Sequence, residues 1–263
     1  MGLWKNTNRK LHQQYYNLTR LQHRIRTGQW PPQIVFLHIP KTGGTTIQGE
    51  FSKYLGSTTH GRICRFDSLY VDPAPAQIEK ARAARYVGGH LDWHTAQHFM
   101  QPGAFTFSIL RHPFDRFVST YLYLTNFPPH FAGQEVVAHL QGMDIETFIT
   151  SQDPVVRLWT NGLMTRQFGG SFRSLEVSED MVPRAIERLR SMTYIGFQHH
   201  LDDDLRAIAS ACGIPVPARV KRANVTVPDA RKDKALERLR GDLAPLLDKL
   251  ISPDMKIYSA LLK

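Results

Sequence analysis

The stretch Ile34 to Gly49, IVFLHIPKTGGTTIQG, decides how the rest of the chain is read. Ile34, Val35, Phe36, Leu37 and His38 are rich in β-branched and aromatic types and predict a short buried strand. Pro40 stops that strand, and Gly43 and Gly44 permit a backbone approach that no side chain would allow. Thr45, Thr46 and Ile47 then open a helix running to Leu55, with Ile47, Phe51 and Leu55 on its buried side. A strand, a glycine turn and a helix start aim unpaired N–H groups and the positive end of the helix at one point, which suits a phosphate-like anion. Lys41 and two hydroxyls stand at that point. A plain structural connection would share the same local pattern, so the reading depends on what lies downstream.

Length and composition set the frame. At 263 residues and 42% hydrophobic content, the chain can bury the core of one substantial α/β domain. A net charge of +10 favours an anionic partner, and charge alone does not choose among nucleic acid, an acidic membrane, a polyanionic glycan and a nucleotide. Cys64 and Cys212 are too few and too far apart for a disulfide framework or a zinc motif. No apolar run reaches the length of a membrane span, and no apolar signal core opens the chain, which predicts a soluble, cytoplasmic setting.

Residues 1–30 form a separate basic arm. Lys5, Arg9, Lys10, Arg20, Arg24 and Arg26 lie there, and the first acidic residue of the chain is Glu50. Leu11, Tyr15, Leu18, Leu21 and Ile25 recur at three- and four-residue steps, which predicts an amphipathic helix. Two readings of it stand: a helix docked on its own domain, or an arm for a polyanionic acceptor, an anionic membrane surface or a second subunit. Trp30, Pro31 and Pro32 end it, leaving residues 31–263 as the main domain.

Beyond the glycine turn, Tyr86, Val87 and Gly88 predict a second strand that delivers GGHLDWH, with His90 at the strand end where open α/β sheets bind ligands. His90, His94 and His98 are spaced by four, which on one helix would stack like metal ligands, but Gly88 and Gly89 oppose a helix through His90. Asp92 and His94 are alternative bases. Ala104 to Leu110 predicts a central strand running into RHPFDRFVSTYLYL, where Pro113 suits a first helical turn and Asp115 complements its positive end. Arg111 and Ser119 pair a planar guanidinium with a hydroxyl, a good match to a dianionic phosphate. Arg116 is either a further contact or a brace for the loop. Further on, Arg157, Arg166 and Arg173 are candidates for a basic acceptor floor. The region from 134 to Thr150 is predicted helical, and 230–263 as two helices parted near Ser252 and Pro253.

A nucleotide-triphosphate P-loop places its lysine after the glycines, whereas Lys41 precedes Gly43 and Gly44. PKTGGTT resembles instead the 5′-phosphosulfate loop of sulfotransferases that use 3′-phosphoadenosine 5′-phosphosulfate (PAPS), particularly the branch with heparan sulfate 2-O- and 6-O-sulfotransferases. RHPFDRFVSTY, about seventy residues on, resembles the 3′-phosphate motif of the same family. NGLMTRQFGG and the closing DMKIY are similar to later segments of that branch.

The resemblance implies an α/β, P-loop-like three-layer fold with a central, mostly parallel sheet flanked by helices. It also implies PAPS as donor and PAP as product, with no metal. Lys41 and His90 are then the catalytic residues, His90 as base. Lys41, Thr42, Gly43, Gly44, Thr45, Thr46, Arg111 and Ser119 hold the nucleotide, with Arg222 of the KRANVT stretch as a third phosphate contact. The expected partner is a carbohydrate or other hydroxyl-bearing acceptor, possibly acidic, and not nucleic acid. Two rival functions remain open. A kinase-like phosphotransferase shares the strand-loop-helix physics but requires a lysine after the glycines and a carboxylate for magnesium. A non-catalytic binder of acidic glycan or membrane would use the basic surface alone.

Overall fold

The computed structural model describes residues 2–28, 31–55, 60–61, 74–126, 137–172, 174–214 and 230–262. Helix α1 (Gly2–Thr27) precedes strand β1 (Ile34–Leu37), helix α2 (Gly44–Leu55), strand β2 (His60–Gly61), helix α3 (Pro75–Ala83) and strand β3 (Tyr86–Gly89). Helix α4 (Trp93–Gln97), strand β4 (Phe105–Leu110) and helix α5 (Pro113–Thr125) follow. Next come short helices α6 (Ile145–Thr150), α7 (Pro154–Thr160) and α8 (Leu163–Gly169), then α9 (Met181–Arg190) and strand β5 (Tyr194–Phe197). Helices α10 (Leu201–Ala211), α11 (Ala230–Arg240) and α12 (Ala244–Leu261) complete the described chain.

The five strands form one parallel sheet in the order β2-β3-β1-β4-β5. Because successive side chains of a strand point to opposite faces, β1 serves two cores at once. Ile34 and Phe36 join Phe107, Phe51, Leu205 and Ile208 on one face. Val35 and Leu37 join Val87, Leu110, Phe168, Leu189 and Ile257 on the other. A third cluster, built from α5, α6, α7, α11 and α12, packs Phe117, Tyr121, Phe148, Trp159, Leu239 and Leu247. The protein is thus an α/β fold with helices flanking a central sheet.

This topology fixes where a ligand can enter. From β1 the chain passes to β2 and β3 on one side, then crosses to β4 on the other. The loops leaving β1 and β4 therefore part in opposite directions and open a crevice at the carboxyl ends of the strands, the usual binding position in such sheets.

Some local expectations change in the fold. Of the helix expected from 134 to Thr150, residues 134–136 lie outside the described residues, and the rest is broken into a 3₁₀ turn (Ala138–Leu140) and a separate α6, because Gly142 takes φ 70° and Asp144 caps α6 through Glu146 and Thr147 N–H groups. The break in the C-terminal segment falls at Gly241 to Leu243, and α12 runs through Pro253 without stopping. Burial of Leu247, Ile251, Asp254 and Ile257 on that helix outweighs the one hydrogen bond that a proline removes.

Candidate functional site

The loop after β1 holds the one non-glycine residue at positive φ among the described residues. Lys41 holds φ at 69°, a conformation that costs an L-residue about 1–2 kcal/mol and that concentrates at functional sites. Gly43 follows at φ 97°, and a Cβ there would come within 2.8 Å of Leu201 Cδ2. At Gly44 a Cβ would lie 1.9 Å from His38 Nε2, so only glycine lets the first turn of α2 close on that ring. The amides of Thr46 and Ile47 bond back to the Gly43 carbonyl. Those of Gly43, Gly44 and Thr45 have no partner among the described residues, leaving a cluster of donors at the helix start. Thr46 is buried and Thr45 is exposed, whereas the Thr42 hydroxyl donates to the Ile39 carbonyl at 2.8 Å. Thr42 is fully buried with its hydroxyl proton committed inside the loop, so its side chain is not a donor for a ligand.

Arg111, at the end of β4, reaches across to this loop. Its Nη1 donates to the Lys41 carbonyl at 3.0 Å, although the two residues are 70 apart in sequence. Arg111 Nε is buried with no hydrogen-bond partner among the described residues. One helical face further along, Ser119 lines an open pocket with Arg111, Asp115, Val118, Leu122, Lys232, Leu236 and Arg240. Three cations and a hydroxyl outnumber the single carboxylate there, a donor set suited to a phosphate dianion. Lys232 and Arg240 come from α11, more than a hundred residues away, and were not singled out in the sequence. Arg222 lies outside the described residues.

Lys41 Nζ sits 3.7 Å from the centroid of the Tyr123 ring. Burial, with the neighbouring Arg111 charge second, lowers the ammonium to about 8. The aromatic series continues through Trp159, 5.7 Å from Tyr123, to His90, 6.4 Å from Trp159. His90 also stacks on His38 at 4.4 Å, and its Nδ1 lies 3.3 Å from the His38 carbonyl. A carbonyl can only accept, so this contact favours the Nδ1–H tautomer, which in the neutral ring leaves the lone pair on Nε2. Gln167 holds the other side of that carbonyl, donating from Nε2 at 3.3 Å and to the Leu91 carbonyl at 2.8 Å. His38 itself is buried between Phe36 and His90, its ring nitrogens have no hydrogen-bond partner among the described residues, and burial lowers it to about 3, with Lys41 adding to the effect. It is a neutral spacer.

Other expected candidates are structural. Asp92 caps α4 through the Thr95 N–H at 2.8 Å and accepts from the Ser171 hydroxyl and the Phe172 N–H, each at 3.1 Å, so it is no base. His90 precedes α4, whereas His94 meets His98 edge to face at 5.0 Å, so the three rings do not share one helix face. Among the described residues, no group of three or more His, Cys, Asp or Glu gathers as a metal site. Arg116 is fully buried, donates to the Trp159 carbonyl at 2.9 Å and faces Asp254 at 3.6 Å; it is a brace. Arg166 is also fully buried, bonded to the carbonyls of Leu158, Asn161, Phe172 and Ser174, and forms no acceptor floor. Arg157 is tied to Gln152 and Glu176, and Arg173 lies outside the described residues.

A parallel sheet whose switch point gathers amides without partners among the described residues, guanidinium groups and a lysine, with a histidine alongside, has a donor set suited to a phosphate-bearing ligand at its strand ends. Residues 31–259 match the model of the Sulfotransferase family, and the chain belongs to that family. Membership carries transferase activity of the sulfuryl-transfer kind. A comparison with curated proteins finds no match.

Proposed function

We propose that this protein moves a sulfuryl group from PAPS to a hydroxyl of a carbohydrate acceptor, in the manner of the heparan sulfate 2-O- and 6-O-sulfotransferase branch. One observation carries the reading: the 3.0 Å bond from Arg111 to the Lys41 carbonyl joins two anion-binding loops into a single site. The orphaned Arg111 Nε and the free amides at the start of α2 fit a ligand with two phosphate groups. Gly43, Gly44, Thr45 and Thr46 hold the 5′ end. Arg111 and Ser119 take the 3′-phosphate, with Lys232 and Arg240 at the far wall.

His90 Nε2 accepts the proton of the acceptor hydroxyl, whose oxygen forms the new bond to sulfur as the bond from sulfur to the 5′-phosphate oxygen breaks. The electron pair leaves with that phosphate, and Lys41 meets the growing charge, so its effect is larger in the transition state than in the ground state. The His38 carbonyl keeps His90 in the tautomer that can act as base.

The test incubates the protein with labelled PAPS and a panel of glycans and looks for a product heavier by one sulfuryl group. Lys41→Ala is expected to lower kcat by about 10²–10³. His90→Ala should lower it by about 10²–10⁴ while sparing PAP affinity. Arg111→Ala should raise the Kd for PAP by about 10- to 100-fold, since it removes charge-assisted bonds. Full activity in all three variants, or preference for ATP with magnesium over PAP, overturns the assignment.

A further inference from the structure

From Leu11 onward, helix α1 buries Tyr16 and leaves a stripe of apolar side chains bare. Tyr16 anchors it, 2% exposed among Phe51, Tyr54, Leu205, Ile208 and Cys212, and the Asn17 side-chain oxygen accepts from Arg85 at 3.2 Å. Leu11, Tyr15, Leu18, Leu21 and Ile25, the apolar stripe read from the sequence, are 46–76% exposed. The stripe therefore does not dock on the protein's own domain, and five large apolar side chains on one face amount to a surface awaiting a partner.

Charge selects the partner. The 26 residues of α1 include Lys5, Arg9, Lys10, Arg20, Arg24 and Arg26 and no Asp or Glu. Arg24 and Arg26 are exposed and flank Ile25 in sequence, which places them about 100° to either side of it around the helix. A second copy packed stripe to stripe would bring two sets of α1 cations together with no α1 carboxylate between them. A polyanionic glycan would meet the cations and leave the stripe in water. An anionic bilayer surface satisfies both, with acyl chains for the stripe and head groups for the flanking arginines. Among the described residues no helix is long and apolar enough to cross a membrane, so such a helix lies on the bilayer.

We propose that α1 docks the protein peripherally on an anionic membrane surface. Its contact with Arg85, just before β3 begins, lies at the end of the sheet opposite His90, so docking leaves the strand ends open to ligands. The inference does not depend on the proposed reaction.

Sedimentation of the full chain with vesicles tests it, comparing pure phosphatidylcholine with phosphatidylcholine containing phosphatidylglycerol. The expected result is at least about tenfold greater partitioning onto the anionic vesicles, weakened by salt. Arg24→Ser and Arg26→Ser should each reduce it about fivefold. Leu18→Glu with Ile25→Glu should abolish it while leaving the melting temperature and PAP affinity unchanged. Equal binding to both vesicles, binding to neither, or indifference to these substitutions overturns the proposal. So does a dimer in light scattering that Leu18→Glu dissolves.

Discussion

Replacing Asp254 by Asn, Arg116 by Met, and both together asks whether the second arginine of RHPFDR holds the fold or a ligand. Asp254 is fully buried and accepts from the Thr165 N–H at 2.9 Å, the Thr165 hydroxyl at 2.8 Å and the Met164 N–H at 3.2 Å. It is thus the acceptor for the first turn of α8 and the counter-charge, at 3.6 Å, of a guanidinium that is itself fully buried. Asp254→Asn keeps one acceptor oxygen, turns a donor toward other donors, and leaves Arg116 charged with no partner charge. An uncompensated buried charge costs about 3–5 kcal/mol, and a lost helix cap about 1 kcal/mol more. For a domain of this size each kcal/mol lowers the melting temperature by about 2–4 °C, so a drop on the order of 10 °C is expected.

Arg116→Met should cost about 3 kcal/mol, near the lower end, because the carboxylate keeps its three donors. The double variant carries no buried charge, so its loss should fall about 2–3 kcal/mol short of the sum of the single losses. Urea unfolding followed by tryptophan fluorescence gives the cycle, and calorimetric titration with PAP gives ligand affinity. Strict additivity would refute the strut. So would an Arg116→Met protein of wild-type stability that no longer binds PAP, which would make this arginine a phosphate contact.

Two further expectations concern pH. His38 is neutral in the fold with its value near 3, against about 6.5 in an unfolded chain, so below 6.5 the unfolded chain binds the extra proton and this residue's contribution to stability falls as pH falls. Between pH 7 and pH 5 the wild type should lose about 2 kcal/mol more stability than His38→Asn, and parallel curves would contradict the buried, neutral ring. Lys41, lowered to about 8, loses its proton above that pH, and a bound phosphate would restore it. The Kd for PAP should therefore rise about tenfold from pH 7.5 to pH 9 in the wild type and stay flat in Lys41→Met; equal slopes in the two proteins would remove Lys41 from the site.

Much of the fold was legible because it is locally encoded. The run of apolar residues at β1, the glycines before α2, and Pro113 at the start of α5 are short-range signals, and each sits in the element that its chemistry predicts. The two motifs were also readable as separate anion-binding loops. That the two loops meet depends on β1 and β4 lying side by side in the sheet.

Sequence by itself determined the strand-loop-helix start, because strand and helix periods and turn residues act over a few positions, and its two motifs carried the resemblance that implied the mostly parallel α/β fold and the sulfotransferase family. Tertiary structure alone decided which arginines are ligand candidates and which are struts. Arg111 keeps a donor with no partner among the described residues at a strand end, while Arg116 and Arg166 are sealed inside on carbonyls and a carboxylate. It also brought Lys232 and Arg240 to the pocket wall and left the stripe of α1 bare. The physical reason is the same in each case: a side chain's charge and period are written in the sequence, but its burial depends on what distant segments pack against it.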